Sequence, residues 1–356
     1  MDALADLLDG VRARGSLFSQ TLLSPPWSLL FSHPTALTVV TMVRGSGWLL
    51  PEGGEPLRLD SGDIAIVQGP GPHTVADQPD TVPQYVISEA DVCTTPDGTP
   101  VRAELALGLR VCGVSPDGPD LLLSGSYDVA GEVSRRLLSV LPRAFVVPAT
   151  EYRCAAMGLV VEETLKERPG QQVVLDRLLD LVLISTLRHW FDRPETRAPS
   201  WYPAMADPVV GSALRLMHER PAQPWTVASL AERCGVSRAS LARRFNTLVG
   251  EPPMSYLTEW RITRAAEYLR EGETTVESIA HRVGYSSAFA LSVAFKRMRG
   301  TTPTDYRRAL WERAPRAAGT SRVPRTPELT RGRVPGSPRS PFREPVEAAS
   351  ARSSPE

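Results

Sequence analysis

A stretch of twelve residues occurs twice in this chain. TVASLAERCGVS (226–237) returns as TVESIAHRVGYS (275–286), with Thr, Val, Ser, Ala, Arg, Gly and Ser repeated at an offset of 49 and Leu230 matched by Ile279. The match continues at an offset of 50, pairing Phe245 with Phe295, Gly250 with Gly300, Pro253 with Pro303 and Tyr256 with Tyr306. Such a duplication requires two copies of one small unit. Each copy has the parts of a helix-turn-helix. A short helix turns Leu230/Ala231 (or Ile279/Ala280) inward, and the small alanines let a second helix approach. A glycine (Gly235, Gly284) supplies the positive φ of the turn. A serine then caps a second helix, with Leu241 and Phe245, or Leu291 and Phe295, on its inner face.

Between the copies lies MSYLTEWRITRAAEYLRE (254–271), 18 residues that make a helix of about 27 Å. A rod of that length can set two reading helices one DNA turn apart, roughly 34 Å.

The formal charge of the whole chain is zero, with 40 basic and 40 acidic groups. The balance is uneven. Residues 1–150 carry 9 basic and 17 acidic groups, 151–204 carry 7 and 8, 205–313 carry 16 and 11, and 314–356 carry 8 and 4. An acidic front and a basic back point to an anionic partner for the C-terminal part. Only Lys166 and Lys296 among the basic residues are lysines, which fits codon bias and is no nucleic-acid signal by itself.

Residues 1–17 read as a short amphipathic helix. From about 27 to 148, short apolar runs (ALTVVTMV, DIAIVQ, QYVIS, LLLSGSY) alternate with PEGG, DSGD, GPGP, TPDG and SPDG, the pattern of an all-β sandwich or barrel. Residues 151–192 change to helical spacing. EETLKERPG reads as a helix stopping at Pro169-Gly170, and Val174, Leu175, Leu178, Leu179, Val182 and Leu183 form the apolar stripe of a second one. Residues 193–204 read as a Pro-rich linker and 205–313 as all-helical. The tail, 314–356, has eight prolines, eight arginines and few large apolar groups, so disorder is expected there. MDALADLLDG is acidic and lacks an apolar signal core, no apolar run reaches bilayer length, and Cys93, Cys112, Cys154 and Cys234 have no CxxC spacing. A cytoplasmic chain with free thiols is expected.

The duplicated motif, and above all GYSSAFALSVAFKRMRGTTPTDYRR (284–308), resembles the DNA-binding domain of the AraC/XylS family of bacterial transcription regulators. The stretch LDSGDIAIVQGPGPHTV (59–75), with HPTALTVVTMVRGSGWLL upstream, resembles the cupin-type sensory domain that precedes many such domains. Together these imply a multidomain α+β chain. Residues 1–150 would form an all-β cupin-like effector-binding barrel, 151–192 a helical coupling and dimerisation segment, and 205–313 an all-α domain with two helix-turn-helix motifs. The resemblance further implies a one-component transcription regulator, an activator contacting RNA polymerase, whose partners are double-stranded DNA, a small effector and a second copy of the chain.

In the first motif the exposed set is Ser237, Arg238, Ala239, Ser240, Ala242, Arg243 and Arg244. By family analogy the base-reading positions are 238, 239, 240, 242 and 243. Arg243 is expected at a base edge, because arginine can donate twice to guanine, and Arg238 at phosphate or base. The second motif offers Ala288, Phe289, Ala290, Ser292 and Val293 instead. The family often has a polar residue where Val293 stands, so direct readout is expected to be weak here. Ser286, Ser287, Lys296, Arg297 and Arg307 remain as phosphate donors, which position without specifying. Ala288 or Phe289 can touch thymine methyls.

In the N-terminal half His73 occupies the last-ligand position of metal cupins, but no HxH precedes it and His33 stands alone. No metal, cofactor or catalytic residue is therefore expected. Trp48, Arg58, His73 and Tyr85 are candidate effector-pocket residues, and equally candidates for core or strand-face positions. Two alternatives remain open. One is a thiol-based redox sensor through Cys93 or Cys112, and the other is a metal-dependent cupin enzyme fused to a DNA-binding domain.

Overall fold

The computed structural model describes residues 11–12, 19–32, 35–88, 92–101, 105, 107, 111–113, 117–129, 138, 140–164, 166, 168–196, 198–272 and 274–313. Thirteen strands come first among them: β1 (Val11–Arg12), β2 (Ser19–Leu23), β3 (Ser28–Phe31), β4 (Leu37–Arg44), β5 (Gly47–Pro51), β6 (Leu57–Leu59), β7 (Ile64–Gln68), β8 (His73–Ala76), β9 (Tyr85–Ile87), β10 (Cys93–Thr94), β11 (Val111–Gly113), β12 (Asp120–Val129) and β13 (Ala144–Val147). They form two sheets. One is ordered β11-β2-β12-β4-β7-β13 with β1 paired to β12, and the other β10-β9-β3-β8-β5-β6. This is the expected cupin-like architecture.

The two faces of the first sheet have different partners. Val40, Met42, Ala65, Val67 and Leu122 meet Leu29, Phe31, Leu49 and Val75 of the second sheet. Their strand neighbours Val39, Ile64, Ile66, Leu123, Tyr127, Phe145 and Val147 face the other way, against helices. A sheet covered on both sides reads as a continuous apolar run, which explains the uninterrupted burial along most of β4 and β7.

The covering helices are α1 (Ala155–Thr164) and α2 (Gln171–Asp192). Leu175, Leu179, Val182, Leu183, Leu187 and Phe191 of α2 are buried. At about 1.5–3 kcal/mol for each such side chain, α2 is held as a layer of the N-terminal domain and is not a free connector. Tyr127 Oη reaches from β12 to donate to the Leu179 carbonyl (2.7 Å). Gln20 of β2 bonds the Thr164 hydroxyl at the end of α1.

Three local expectations need correction. Val11–Arg12 is a strand, pairing Val11 with Val129 and Arg12 with Asp128, where a helix over 1–17 was expected; the rest of that span lies outside the described residues. The first helix stops at Thr164, short of Pro169, and the Gln171 amide donates to Glu163 O (2.7 Å) near its end and to Lys166 O beyond it. The Pro-rich linker is packed structure. Thr196 Oγ1 bonds the Trp190 and Arg193 carbonyls (2.9 and 2.8 Å), and α3 (Trp201–Ala204) buries Trp201 and Ala204. The tail, 314–356, where disorder is expected, lies outside the described residues.

The remaining helices are α4 (Val210–Glu219), α5 (Val227–Arg233), α6 (Arg238–Val249), α7 (Pro253–Glu271), α8 (Val276–Val283), α9 (Ala288–Arg299) and α10 (Pro303–Arg313). The long α7 serves both motifs. Its first half gives Tyr256, Leu257 and Trp260 to the core of the first. Its second half gives Ile262, Ala265, Ala266 and Leu269 to the core of the second.

Candidate nucleic-acid interface

Both reading helices are set by the same local devices, as their duplicated sequence requires. Thr226 and Thr275 cap α5 and α8, accepting from Ser229 N–H (3.0 Å) and Ser278 N–H (3.2 Å). Ser237 and Ser287 cap α6 and α9, accepting from Ser240 N–H and Ala290 N–H, each at 3.2 Å. Gly250 and Gly300 end those helices at φ 86 and 74. The aromatic pair recurs too. Phe245–Tyr256 and Phe295–Tyr306 meet edge to face at 5.8 and 5.4 Å between centroids.

The turn glycines differ in one respect that gives a prediction. Gly235 (φ +70) faces open space, whereas a Cβ at Gly284 (φ +88) would lie 2.9 Å from the Ala222 backbone and 2.8 Å from Arg261 Nη2. Arg261 cannot swing away freely, since it donates to Pro221 O and Gln223 O, each at 2.7 Å. Gly235→Ala is therefore expected to cost only left-handed strain, about 1–2 kcal/mol. Gly284→Ala adds an overpacking cost of roughly 1–3 kcal/mol. Chemical denaturation of both variants checks this, and equal costs would show that the Ala222 loop yields.

The exposed surfaces of the two helices are unlike. On α6, Ser237, Arg238, Ala239, Arg243 and Arg244 are exposed and Ser240 and Ala242 half-buried, while Leu241 and Phe245 face inward. No hydrogen bond or ion pair among the described residues engages the guanidinium of Arg238 or Arg243. Arg244 is different. Its Nε donates to Asp207 Oδ2 (2.8 Å), and the other oxygen of Asp207 accepts from Val209 and Val210 N–H (3.0 and 2.9 Å) at the start of α4. Burial works against the Asp207 charge, but the Val210 N–H and Arg244 outweigh it and hold the carboxyl below the usual range. Arg244 thus clamps α6 to α4, with its side chain still 45% exposed.

On α9, Phe289 is 78% exposed and Val293 55%, with Ser286, Lys296 and Arg297 also exposed. Ser287, Ala288 and Ser292 are half-buried. The Glu277 carboxylate accepts from Ala288 N–H (2.8 Å), so a negative charge already sits at the first amide of this helix, where a phosphate would otherwise dock. The matching residue in the first motif is Ala228. Arg307 donates to the Thr274 carbonyl (2.6 Å), a fold contact and not a free phosphate donor.

The four pocket candidates do not converge. His73 pairs with Phe31 across the strands and stacks on it (4.9 Å, 3°), so it faces between the sheets. Tyr85 packs on the same inner cluster. Trp48 alternates with the inward Leu49, and Arg58 lies over the Trp48 ring at 5.4 Å, so both are on the outer face. Cys93 and Cys112 lie on the terminal strands of the two sheets. Burial, and after it the neighbouring Cys112, pushes the Cys93 thiol up, which disfavours a resting thiolate. Among the described residues no group of three His, Cys, Asp or Glu side chains is placed to hold a metal, and no helix is long and apolar enough to cross a membrane. His33 lies outside them.

Comparison with known proteins agrees with both halves of this architecture. A cupin family model matches residues 2–192, and a helix-turn-helix domain model matches 230–309. A putative AraC-like transcription regulator of Streptomyces lividans is 35% identical over 313 residues, 86% of this chain and 98% of its own. The transcriptional regulator AlkR of Acinetobacter baylyi is 27% identical, over 86% and 99%. The DNA-binding domain of AdpA, solved with a target DNA, is 32% identical over 31% of this chain and 99% of its own, at a TM-score of 0.29. With a cupin-like domain in front and a duplicated helix-turn-helix behind, the chain belongs to the AraC-like transcription regulators and is a DNA-binding protein of that type.

Proposed function

We propose that this regulator reads its operator unequally with its two motifs and is controlled by a small molecule acting on its N-terminal domain. The observation that carries the first half is the contrast between α6 and α9. One offers two unengaged guanidinium groups at Arg238 and Arg243. The other offers Phe289 and Val293, with Glu277 on its first amide. In this reading Ser237, Arg238, Ala239, Ser240, Ala242 and Arg243 face the major groove. Ser286, Ser287, Lys296 and Arg297 grip phosphate, and Ala288, Phe289 and Ser292 give apolar or weak polar contact. Selection of binding sites from random DNA by the full chain tests this. Two half-sites about one turn apart, with most base preference in one half, are expected. Equal preference in both halves would refute it.

Control through the N-terminal domain is supported by the continuous core. One cluster of buried side chains runs from the first sheet through α2 and Trp201 to Leu241, Phe245 and Trp260. A change in the sheet or in α2 therefore has packed atoms through which to reach α6. The protein acts in the cytoplasm, performs no catalysis of its own and works by contact with RNA polymerase.

We further propose that it dimerises through α2. Val173, Val174 and Leu181 are 62, 44 and 51% exposed on that helix, with Leu159 of α1 at 53%. Sedimentation of wild type and of Val174→Glu/Leu181→Glu is expected to show a dimer and a monomer. A wild-type monomer at micromolar concentration would remove this assignment.

A further inference from the structure

A cleft of about 900 Å³ lies outside the sheet sandwich, where the loop before β13 and the turn after it meet the C-terminal end of α2. That volume suits a drug-sized molecule. Its wall includes Trp190, one face of which is stacked on Phe145 (4.0 Å). Across the cleft the protein has already placed a cation. The Arg193 guanidinium lies 5.3 Å from the Trp190 ring centre and is paired with the Glu151 carboxylate. Asp192 and Glu195 also line the space, so its wall carries three acidic residues to one arginine. His189 lines it as well, its ring stacked on Tyr152 (4.7 Å).

We infer that this cleft binds an organic cation with an apolar body, a guanidinium or ammonium compound that takes the place of Arg193 on Glu151 and Trp190. The intramolecular Arg193 shows the chemistry that the place accepts: a planar cation on an indole face, neutralised by a carboxylate. A tethered side chain competes at an effective concentration of the order of millimolar, so a free cation binds more weakly to the wild type than to a chain without Arg193.

Displacement has a structural consequence. Arg193 caps α2 through its own N–H to Trp190 O, and its carbonyl accepts from Thr196 in the turn leading to α3. Freeing the guanidinium releases the tie between Glu151, beside β13, and the connection to the DNA-binding domain. As a route of regulation this rests on the control by a small molecule proposed above; as a binding site it stands without it.

The test is calorimetric titration of the full chain with phenethylguanidinium, beside neutral 2-phenylethanol and anionic 3-phenylpropionate. The cation is expected to bind one per chain and the other two not measurably. Arg193→Gln is expected to tighten the cation at least tenfold. Glu195→Gln, an exposed change that leaves the Glu151–Arg193 pair in place, is expected to weaken it at least threefold at low salt. Absence of binding, equal binding of the neutral analogue, or an unchanged affinity in both variants would overturn the site. The same titrations with labelled operator present keep the two readings apart. Cation binding that shifts operator affinity supports both, and cation binding without such a shift supports the site and refutes regulation through it.

Discussion

Arg243→Ala is expected to lower operator affinity by roughly tenfold to a hundredfold, about 1–3 kcal/mol, and to relax preference at a single base position. The size follows from the bond type. A guanidinium that meets a guanine edge donates twice in a fixed fork, and no hydrogen bond or ion pair among the described residues competes for this one. Three variants bracket the claim. Lys296→Ala removes a phosphate contact and should weaken all sequences alike while reducing the salt dependence by about one ion. Val293→Ala should change base preference little. Arg244→Ala breaks the clamp on Asp207 and should lower the stability of the first motif before it alters any base preference. If Val293→Ala abolished specificity while Arg243→Ala did nothing, the roles of the two motifs would be reversed. Binding measured on operator and on scrambled DNA, at two salt concentrations, separates these outcomes.

What could be read in advance was what depends on near neighbours in sequence. Caps, turn glycines and inward faces of both motifs are set within four or five residues, so a duplicated sequence announces duplicated geometry. The apolar stripe of α2 is legible for the same reason. Arg244 could not be separated from Arg243 by sequence, because Asp207 lies 37 residues away and only the fold brings it to α6. The capture of Ala288 N–H by Glu277 spans 11 residues and two helices. Strand alternation does place Trp48 opposite Leu49, but that Arg58 would join Trp48 while His73 turned inward depended on strand pairing across the sheet. The prolines of the 193–204 linker do not announce how it packs. Trp201 was the contrary signal, since a large aromatic side chain in a short spacer is best stabilised by burial, and Tyr202 follows it with a hydrogen bond to Asp192 (3.0 Å).

His73 gives the second large effect, on stability against pH. It is 5% exposed between the sheets, and burial lowers its pKa to about 4. In the unfolded chain the same ring titrates near its ordinary value of 6.5. Between those two values the unfolded chain takes up a proton that the folded chain does not. The folded state is therefore fully favoured above about pH 6.5 and loses ground as the pH falls towards 4. The difference corresponds to about 3 kcal/mol at its greatest, a large fraction of the stability of one domain. His73→Leu removes the titrating group but keeps an apolar side chain against Phe31. Urea unfolding of wild type and variant at pH 7, 6, 5 and 4 checks the claim, following the transition of the N-terminal domain because a multidomain chain need not unfold in one step. Other acid-sensitive groups, Asp207 among them, remain in both proteins and cancel in the comparison. The variant is expected to lose about 3 kcal/mol less than wild type over that range. Parallel losses would mean that the folded protein lets water or a partner reach the ring and that His73 can be protonated in place.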